Sequence, residues 1–268
     1  MAAVALMLAL AAVALAAGKA TTQTASAGGV KATLTFSGSA PKVTDMRLRI
    51  VRAGQERYDQ PVSSRYCAKR CDPALLGPHT SSVRVLDIES DGQPDVILEL
   101  YTGGANCCLV DQVLSFDPGV MTYTKSEHDF FNAGASITKL GGAWRFVSAD
   151  GHFQCAFTDC ADSGEPIQIF KFGGRRQFSD VTRAYPKLIT HDAAKWMKLF
   201  NQHLTNGVGL IAPWAADEEL LGRNAKVQST LKALAAKGAL RDGGVGPATG
   251  QKFVKALNSM LRRFGYLK

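Results

Sequence analysis

The hydrophobic periodicity of this chain changes once, at about residue 190, and that change fixes its fold class. Before it, short runs alternate apolar and polar residues. Residues 30–36 (Val-Lys-Ala-Thr-Leu-Thr-Phe) and 46–52 (Met-Arg-Leu-Arg-Ile-Val-Arg) are clear examples. Period-2 alternation rich in β-branched residues predicts half-buried strands. Further strand-like runs occur at 83–86, 96–101, 112–116, 145–148, 152–157 and 167–172, each bounded by Gly, Pro, Asp or Asn. After it, residues 192–204 place Ala193, Trp196, Met197, Leu199 and Phe200 on one helical face, with Thr190 as N-cap. Pro213 suits the first turn of a second helix. Val227, Leu231, Leu234 and Ala235 line a third, stopped by Gly238. Phe253, Leu257, Met260, Leu261 and Phe264 line a fourth, ended by Gly265. The expectation is an α+β chain with an antiparallel β domain over 28–189 and a helical module over 190–268. With 46% hydrophobic and 20% charged residues in 268, the composition excludes a disordered or collagen-like chain.

The first residues point to export. Residues 1–17 are almost wholly Ala, Val, Leu and Met, and the first charge is Lys19. Small-x-small cleavage sites follow at Ala14-Leu15-Ala16 and Ala25-Ser26-Ala27, which favours a signal-peptide core over an uncleaved anchor. Residues 1–27 are therefore read as a leader and a flexible lead-in. No later stretch approaches a membrane span. The expected location is secreted, periplasmic or cell-surface.

Export makes disulfides the expected state of Cys67, Cys71, Cys107, Cys108, Cys155 and Cys160. Cys155 and Cys160 can close a hairpin mouth. Cys67 and Cys71 can link to the adjacent pair Cys107 and Cys108, tying a loop to a strand end. A vicinal Cys107–Cys108 bond is the strained alternative. A four-cysteine zinc site is disfavoured, because the standard C-x2-C spacing is absent.

The strongest chemical motif is 87–95, Asp-Ile-Glu-Ser-Asp-Gly-Gln-Pro-Asp. Carboxylates fall at its first, third, fifth and ninth positions, and Gly92 permits a sharp turn. Alternate side chains of a tight loop can converge oxygen ligands on a hard divalent cation, with the Gln93 carbonyl as a backbone ligand. An EF-hand would need an acid where Leu98 stands, and its flanks would be helical. The expectation is a structural calcium site in a strand–loop–strand unit.

Residues 85–98 resemble the FG-GAP/VCBS repeat of integrin-type propeller blades and bacterial surface proteins. The resemblance centres on residues 84–125, and it implies that Asp87, Glu89, Asp91 and Asp95 are side-chain ligands to one structural calcium ion. Glu89 departs from the family's more usual Asp. Residues 101–108 are similar to a segment that follows such loops in uncharacterised secreted bacterial proteins. Residues 140–148 and 167–172 read as a degenerate second copy without the acidic loop. Two units do not complete a propeller, so a partial, propeller-like domain of two blade-like sheets is expected.

The formal charge of +8 is not spread evenly. Residues 223–268 carry +9, and the remainder is close to neutral. Arg223, Lys226, Lys232, Lys237, Lys252, Lys255, Arg262 and Arg263 are candidate contacts for an anionic partner, such as a cell-wall polymer, lipid headgroups or a surface protein. Nucleic acid is disfavoured, since no aromatic–basic interleaving occurs. Residues 227–249 resemble a peptidoglycan-binding helical repeat through the run Asp242-Gly243-Gly244-Val245-Gly246-Pro247-Ala248-Thr249, but a glycine-rich helix connector is the favoured reading of the same residues.

Catalytic signatures are weak. There is no H-E-x-x-H, no G-x-S-x-G and no phosphate-cradling loop. His152 and Cys155 could be a base and nucleophile, but a half-cystine is the better reading of Cys155. These residues predict a non-enzymatic binding or surface protein, with a cell-envelope hydrolase or its accessory subunit as the alternative.

Overall fold

The computed structural model describes residues 20–68, 71–74, 81–104, 107–173, 176–202, 207–241 and 249–268. The apolar leader and residues 242–248 of the glycine-rich connector lie outside the described residues.

Three antiparallel sheets precede four helices. The first sheet has the order β1 (Ala20–Ala27), β2 (Val30–Ser37), β3 (Thr44–Arg52), β4 (Gln55–Pro61). The second has β5 (Asp72–Pro73), β7 (Asp95–Gly104), β8 (Cys107–Asp117) and β9 (Thr122–Asp129), with β6 (Val83–Leu86) also paired to β7. The third has β10 (Ser136–Leu140), β11 (Ala143–Ala149), β12 (Ile167–Gly173) and β13 (Gln177–Asp180). Two sheets were expected; the first sheet is the addition. No closed barrel or propeller is formed by the described strands.

The second sheet lies in the middle. Along β7, Val96, Leu98 and Leu100 join the core shared with Leu34, Leu48 and Ile50 of the first sheet. Ile97, between them, joins Phe146, Phe170 and Phe172 of the third sheet. Period-2 geometry sends neighbouring side chains to opposite faces, so a strand covered on both sides reads as an almost unbroken apolar run. On β8, Val110 and Leu114 face one core and Val113 the other.

The lead-in is a strand. Residues 20–27 pair with β2 in full register, Ala27 opposite Val30. Gly28 and Gly29 make the intervening turn with φ of 53° and 75°, a conformation glycine adopts without a Cβ clash. The expected strand at 152–157 is instead a single 3-10 turn over Gly151–Phe153, capped by the Asp150 side chain.

The helices are α1 (Pro186–Gln202), α2 (Gly207–Leu220), α3 (Asn224–Ala236) and α4 (Gly250–Arg263). Helix α1 begins earlier than expected, with Pro186 first, where its missing N–H costs nothing. Thr190 therefore sits inside α1, and the boundary expected at 189/190 falls within a helix. Pro213 lies in the interior of α2. It leaves the Gly209 carbonyl without its helical donor, and the Gly164 amide takes that place at 2.9 Å. Phe153 and Phe157, from the segment between β11 and β12, pack in the helical core with Trp214, Leu231, Phe253 and Leu257.

The six cysteines form three local disulfides, Cys67–Cys71, Cys107–Cys108 and Cys155–Cys160, and none is free. Each close pair bonds within itself, so the link from loop to strand end does not form and no thiolate remains for zinc.

Candidate functional site

The acidic loop joins β6 to β7. Its shape is set by its own first carboxylate, since Asp87 accepts from the amides of Asp91 and Gly92, both at 3.0 Å. Asp91 accepts from the Gln93 amide at 2.8 Å. Ser90 and Gly92 take positive φ of 59° and 80°, which folds the loop tightly. Glu89, Asp91, Gln93 and Asp95 line one cavity of about 450 Å³ with Ser115, Phe116, Pro118 and Arg176. The structure thus brings four of the five expected metal residues together. Asp87 is turned to the loop backbone instead.

Asp95 is the buried member, at 3% exposure. Burial pushes its carboxyl up to about 7, and the negative charges of Glu89 and Asp91 add to that. Ser115 Oγ lies close enough to pull the Asp95 pKa down, yet it makes no hydrogen bond of ordinary geometry. One Arg52 guanidinium nitrogen and the Tyr123 hydroxyl are likewise buried; Arg52 lies close enough to pull the Tyr123 pKa down, yet neither atom makes a hydrogen bond of ordinary geometry. Arg52 stacks over Phe116 at 4.6 Å and donates to the Gln93 side-chain oxygen. Arg176 donates to Asp117 at 2.9 Å and to Thr124 at 2.7 Å. Glu89, Asp91, Gln93 and Asp95 offer oxygens, the set a hard cation prefers, beside the Arg176 guanidinium; Asp95 also accepts from the Ile88 amide at 3.4 Å. Among the described residues, no group of three or more His, Cys, Asp or Glu side chains is arranged to hold a metal ion.

All eight candidate cations of the helical module are exposed. Arg223 and Lys226 are also tethered, donating to the buried Glu218 carboxylate at 3.2 and 2.6 Å. These two residues and Lys198 border a cavity of about 620 Å³ between α1, α2 and α3.

Three polar clusters escaped the sequence reading. Glu99 and Asp111 are buried opposite each other on β7 and β8, and Arg84 reaches Glu99 at 3.2 Å. Burial holds Asp111 well above the usual carboxylate range. Their signal is an acid inside an apolar strand, in Leu98-Glu99-Leu100 and Val110-Asp111-Gln112. On α1 and α2, Asp192 accepts from the Ile167 amide and the Trp196 indole. It neighbours the fully buried Asp217, whose oxygens make no hydrogen bond of ordinary geometry. The third cluster joins the sheets to the helices. Asp150, 1% exposed, holds His152 through the ring Nδ1 at 2.6 Å and accepts from the Tyr266 hydroxyl at 2.7 Å. No cysteine thiol is available to His152, so the base–nucleophile pair with Cys155 does not form.

No family model matches the chain, and no solved structure matches it. The chain is 24% identical over 160 residues to a Synechocystis sp. protein named "Probable thylakoid lumen protein". The match covers 52% of this chain and 44% of that relative, so the chain spans less than half of the relative's length. No helix among the described residues is long and apolar enough to cross a membrane.

Proposed function

We propose that this is an extracytoplasmic, non-enzymatic binding protein with a calcium-stabilised β domain and a cationic helical module that meets an anionic envelope partner. The observation that carries the metal reading is the convergence of Glu89, Asp91, Gln93 and Asp95 on one oxygen-lined cavity beside the unsatisfied Ser115 hydroxyl. Calcium bound there would supply positive charge and oxygen coordination, holding the β6–β7 loop against β8. In this reading the second and third sheets are FG-GAP/VCBS-like blade units, and the loop is the repeat's metal loop. A secreted, periplasmic or cell-surface location agrees with three disulfides and with a relative whose name places it in a lumen. The exposed Lys232, Lys237, Lys252, Lys255, Arg262 and Arg263, with no acid among the described residues 223–268, supply the charge for a cell-wall polymer, lipid headgroups or an acidic surface protein.

Saturating calcium should raise the melting temperature by linkage, and Asp91→Ala should abolish the rise. An unchanged melting temperature in the native protein would remove the metal from this reading.

A second reading, a cell-envelope hydrolase or its accessory subunit, is favoured by one observation. Asp150 and His152, in the 3-10 turn after β11, meet Tyr266 and Phe264, which follow α4. Turnover of an envelope substrate that disappears in His152→Ala would select it.

A further inference from the structure

Helix α4 carries its charge on one side. By helical geometry Lys252, Lys255, Arg262 and Arg263 fall within an arc of about 100°. Ala256 and Ser259 lie on the same side, and all six residues are exposed. Phe253, Leu257 and Leu261 point the other way, into the helical core. Among the described residues none of the four cations has an ion pair, and Arg263 alone has a ring contact, with Phe264 at 5.3 Å. Lys252 stands in the first turn of α4, which has no acid and no side-chain cap. A cation there opposes the helix dipole, so α4 bears charge that its own fold does not use.

Other cations of this region are engaged or scattered. Arg223 and Lys226 share Glu218. Lys195 pairs with Asp192 at 2.5 Å, and Arg183 donates to the carbonyls of Leu220, Gly265 and Tyr266. Lys232 and Lys237, five residues apart along α3, point about 140° away from each other.

The four α4 cations form two pairs, Lys252 with Lys255 and Arg262 with Arg263, about 13 Å apart along the axis. The small Ala256 and Ser259 leave the path between the pairs open. One small anion reaches one pair. A chain of repeated anionic groups reaches both, and its second contact is then intramolecular. A bilayer fits less well, because an interfacial helix buries its apolar face in lipid and that of α4 is already in the core. The large hydrophobic side chains exposed among the described residues, Val120 and Met121, belong to no helix.

We infer that the outer face of α4 is a docking strip for a linear polyanion, a polymer of repeated phosphate or carboxylate groups. This rests on the cationic-module reading above and assigns its contact to α4 and its partner to a polymer.

Titration calorimetry of the purified protein tests it with long-chain inorganic polyphosphate, polygalacturonate and tripolyphosphate, at matched concentration of anionic groups. Long chains should bind at least about tenfold more tightly than tripolyphosphate, and added salt should weaken them. Binding of one long chain alone sustains the proposal and names the anionic group. Lys252→Gln/Lys255→Gln and Arg262→Gln/Arg263→Gln should each weaken long-chain binding at least about fivefold at an unchanged melting temperature. Lys252→Arg/Lys255→Arg keeps the charge and should keep the binding, and Lys232→Gln/Lys237→Gln should change it less than about twofold. Polymer binding that survives both α4 Gln variants overturns the α4 assignment and leaves the cationic-module reading standing. Equal affinity for tripolyphosphate and the long chains overturns the linear polymer. Cosedimentation with phosphatidylserine vesicles, without polymer binding, assigns the module to lipid headgroups and overturns the proposal too. No binding of any of these anions removes the anionic partner of the module, and this inference with it.

Discussion

Tyr266 donates its hydroxyl to Asp150 Oδ2 at 2.7 Å, tying the end of the helical region to the strand end before the 3-10 turn. The other carboxylate oxygen already serves His152, through the backbone amide at 3.0 Å and the ring at 2.6 Å. Tyr266→Phe leaves a buried acceptor short of one donor. It should cost about 1–3 kcal/mol, read by urea denaturation, with the near-ultraviolet signature of the folded protein retained. A loss below about 0.5 kcal/mol would mean that water replaces the hydroxyl.

Asp95 gives a paired prediction. Its folded pKa of about 7 lies above the ordinary carboxylate value of 3.8, so the folded state binds the extra proton. Its stabilising contribution is complete below about pH 4 and falls as pH rises towards about 7. Without metal, Asp95→Asn should raise stability at neutral pH by on the order of 2 kcal/mol. The same change should erase the calcium-induced rise in melting temperature. A variant that is stabilised yet still responds fully to calcium would show that Asp95 is not a ligand.

Asp217 acts over a wider window. Burial first, then the nearby Asp192, pushes its carboxyl up to about 9. The sign is the same, so folding stability should decline from about pH 4 to about pH 9 through this group. Asp217→Asn should flatten that decline and gain on the order of 2 kcal/mol at pH 7. Melting curves at stepped pH give the comparison, and parallel pH profiles for the two proteins would contradict the assignment.

Strand β1 bears on which of the two expected cleavage sites is compatible with the fold. The Gln23 side chain accepts from the Ser82 amide at 2.8 Å and from Ser81 Oγ at 3.2 Å, and Ala25 and Ala27 pack on the first core. Cleavage after Ala27 would remove β1 and bare the β2 edge. Protein starting at Gly28 should lose several kcal/mol, a large part of a domain stability of about 5–15 kcal/mol, compared with protein that retains residues 17–27. Intact-mass measurement of exported protein should find β1 present.

Much of the fold was legible because burial on one face prints a period. Strand β3 shows Met46, Leu48 and Ile50 buried with exposed residues between them. Helices α1, α3 and α4 likewise follow their apolar stripes, whereas α2 is buried all round and prints none. Strand β1 did not show itself, since an exposed edge strand of Thr, Gln, Ser and Ala has little apolar contrast. The Gly28-Gly29 pair was its one signal, a two-residue hairpin turn. The acidic loop's spacing is local, so the convergence of Glu89, Asp91, Gln93 and Asp95 was legible, while the turning of Asp87 to the loop backbone was not. Asp150 and Tyr266, or Asp192 and Asp217, become neighbours only through tertiary packing, and no spacing in the chain announces them. Pro213 misled for a related reason. A proline inside a helix is tolerated here because a distant backbone donor takes up the carbonyl it orphans.

That substitution of donors binds two parts of the chain into one event. The Gly164 amide is satisfied by Gly209, which belongs to a helix still unmade when the β strands are synthesised. A Cβ on Gly164 would stand 2.6 Å from the Trp196 ring and 2.8 Å from Pro213, so the backbone can approach only as glycine. The Gly164 segment, which follows the Cys155–Cys160 loop, therefore takes its place only together with α1 and α2. In hydrogen exchange, the Gly164 amide should be protected as long as the helices are, and lose its protection with theirs.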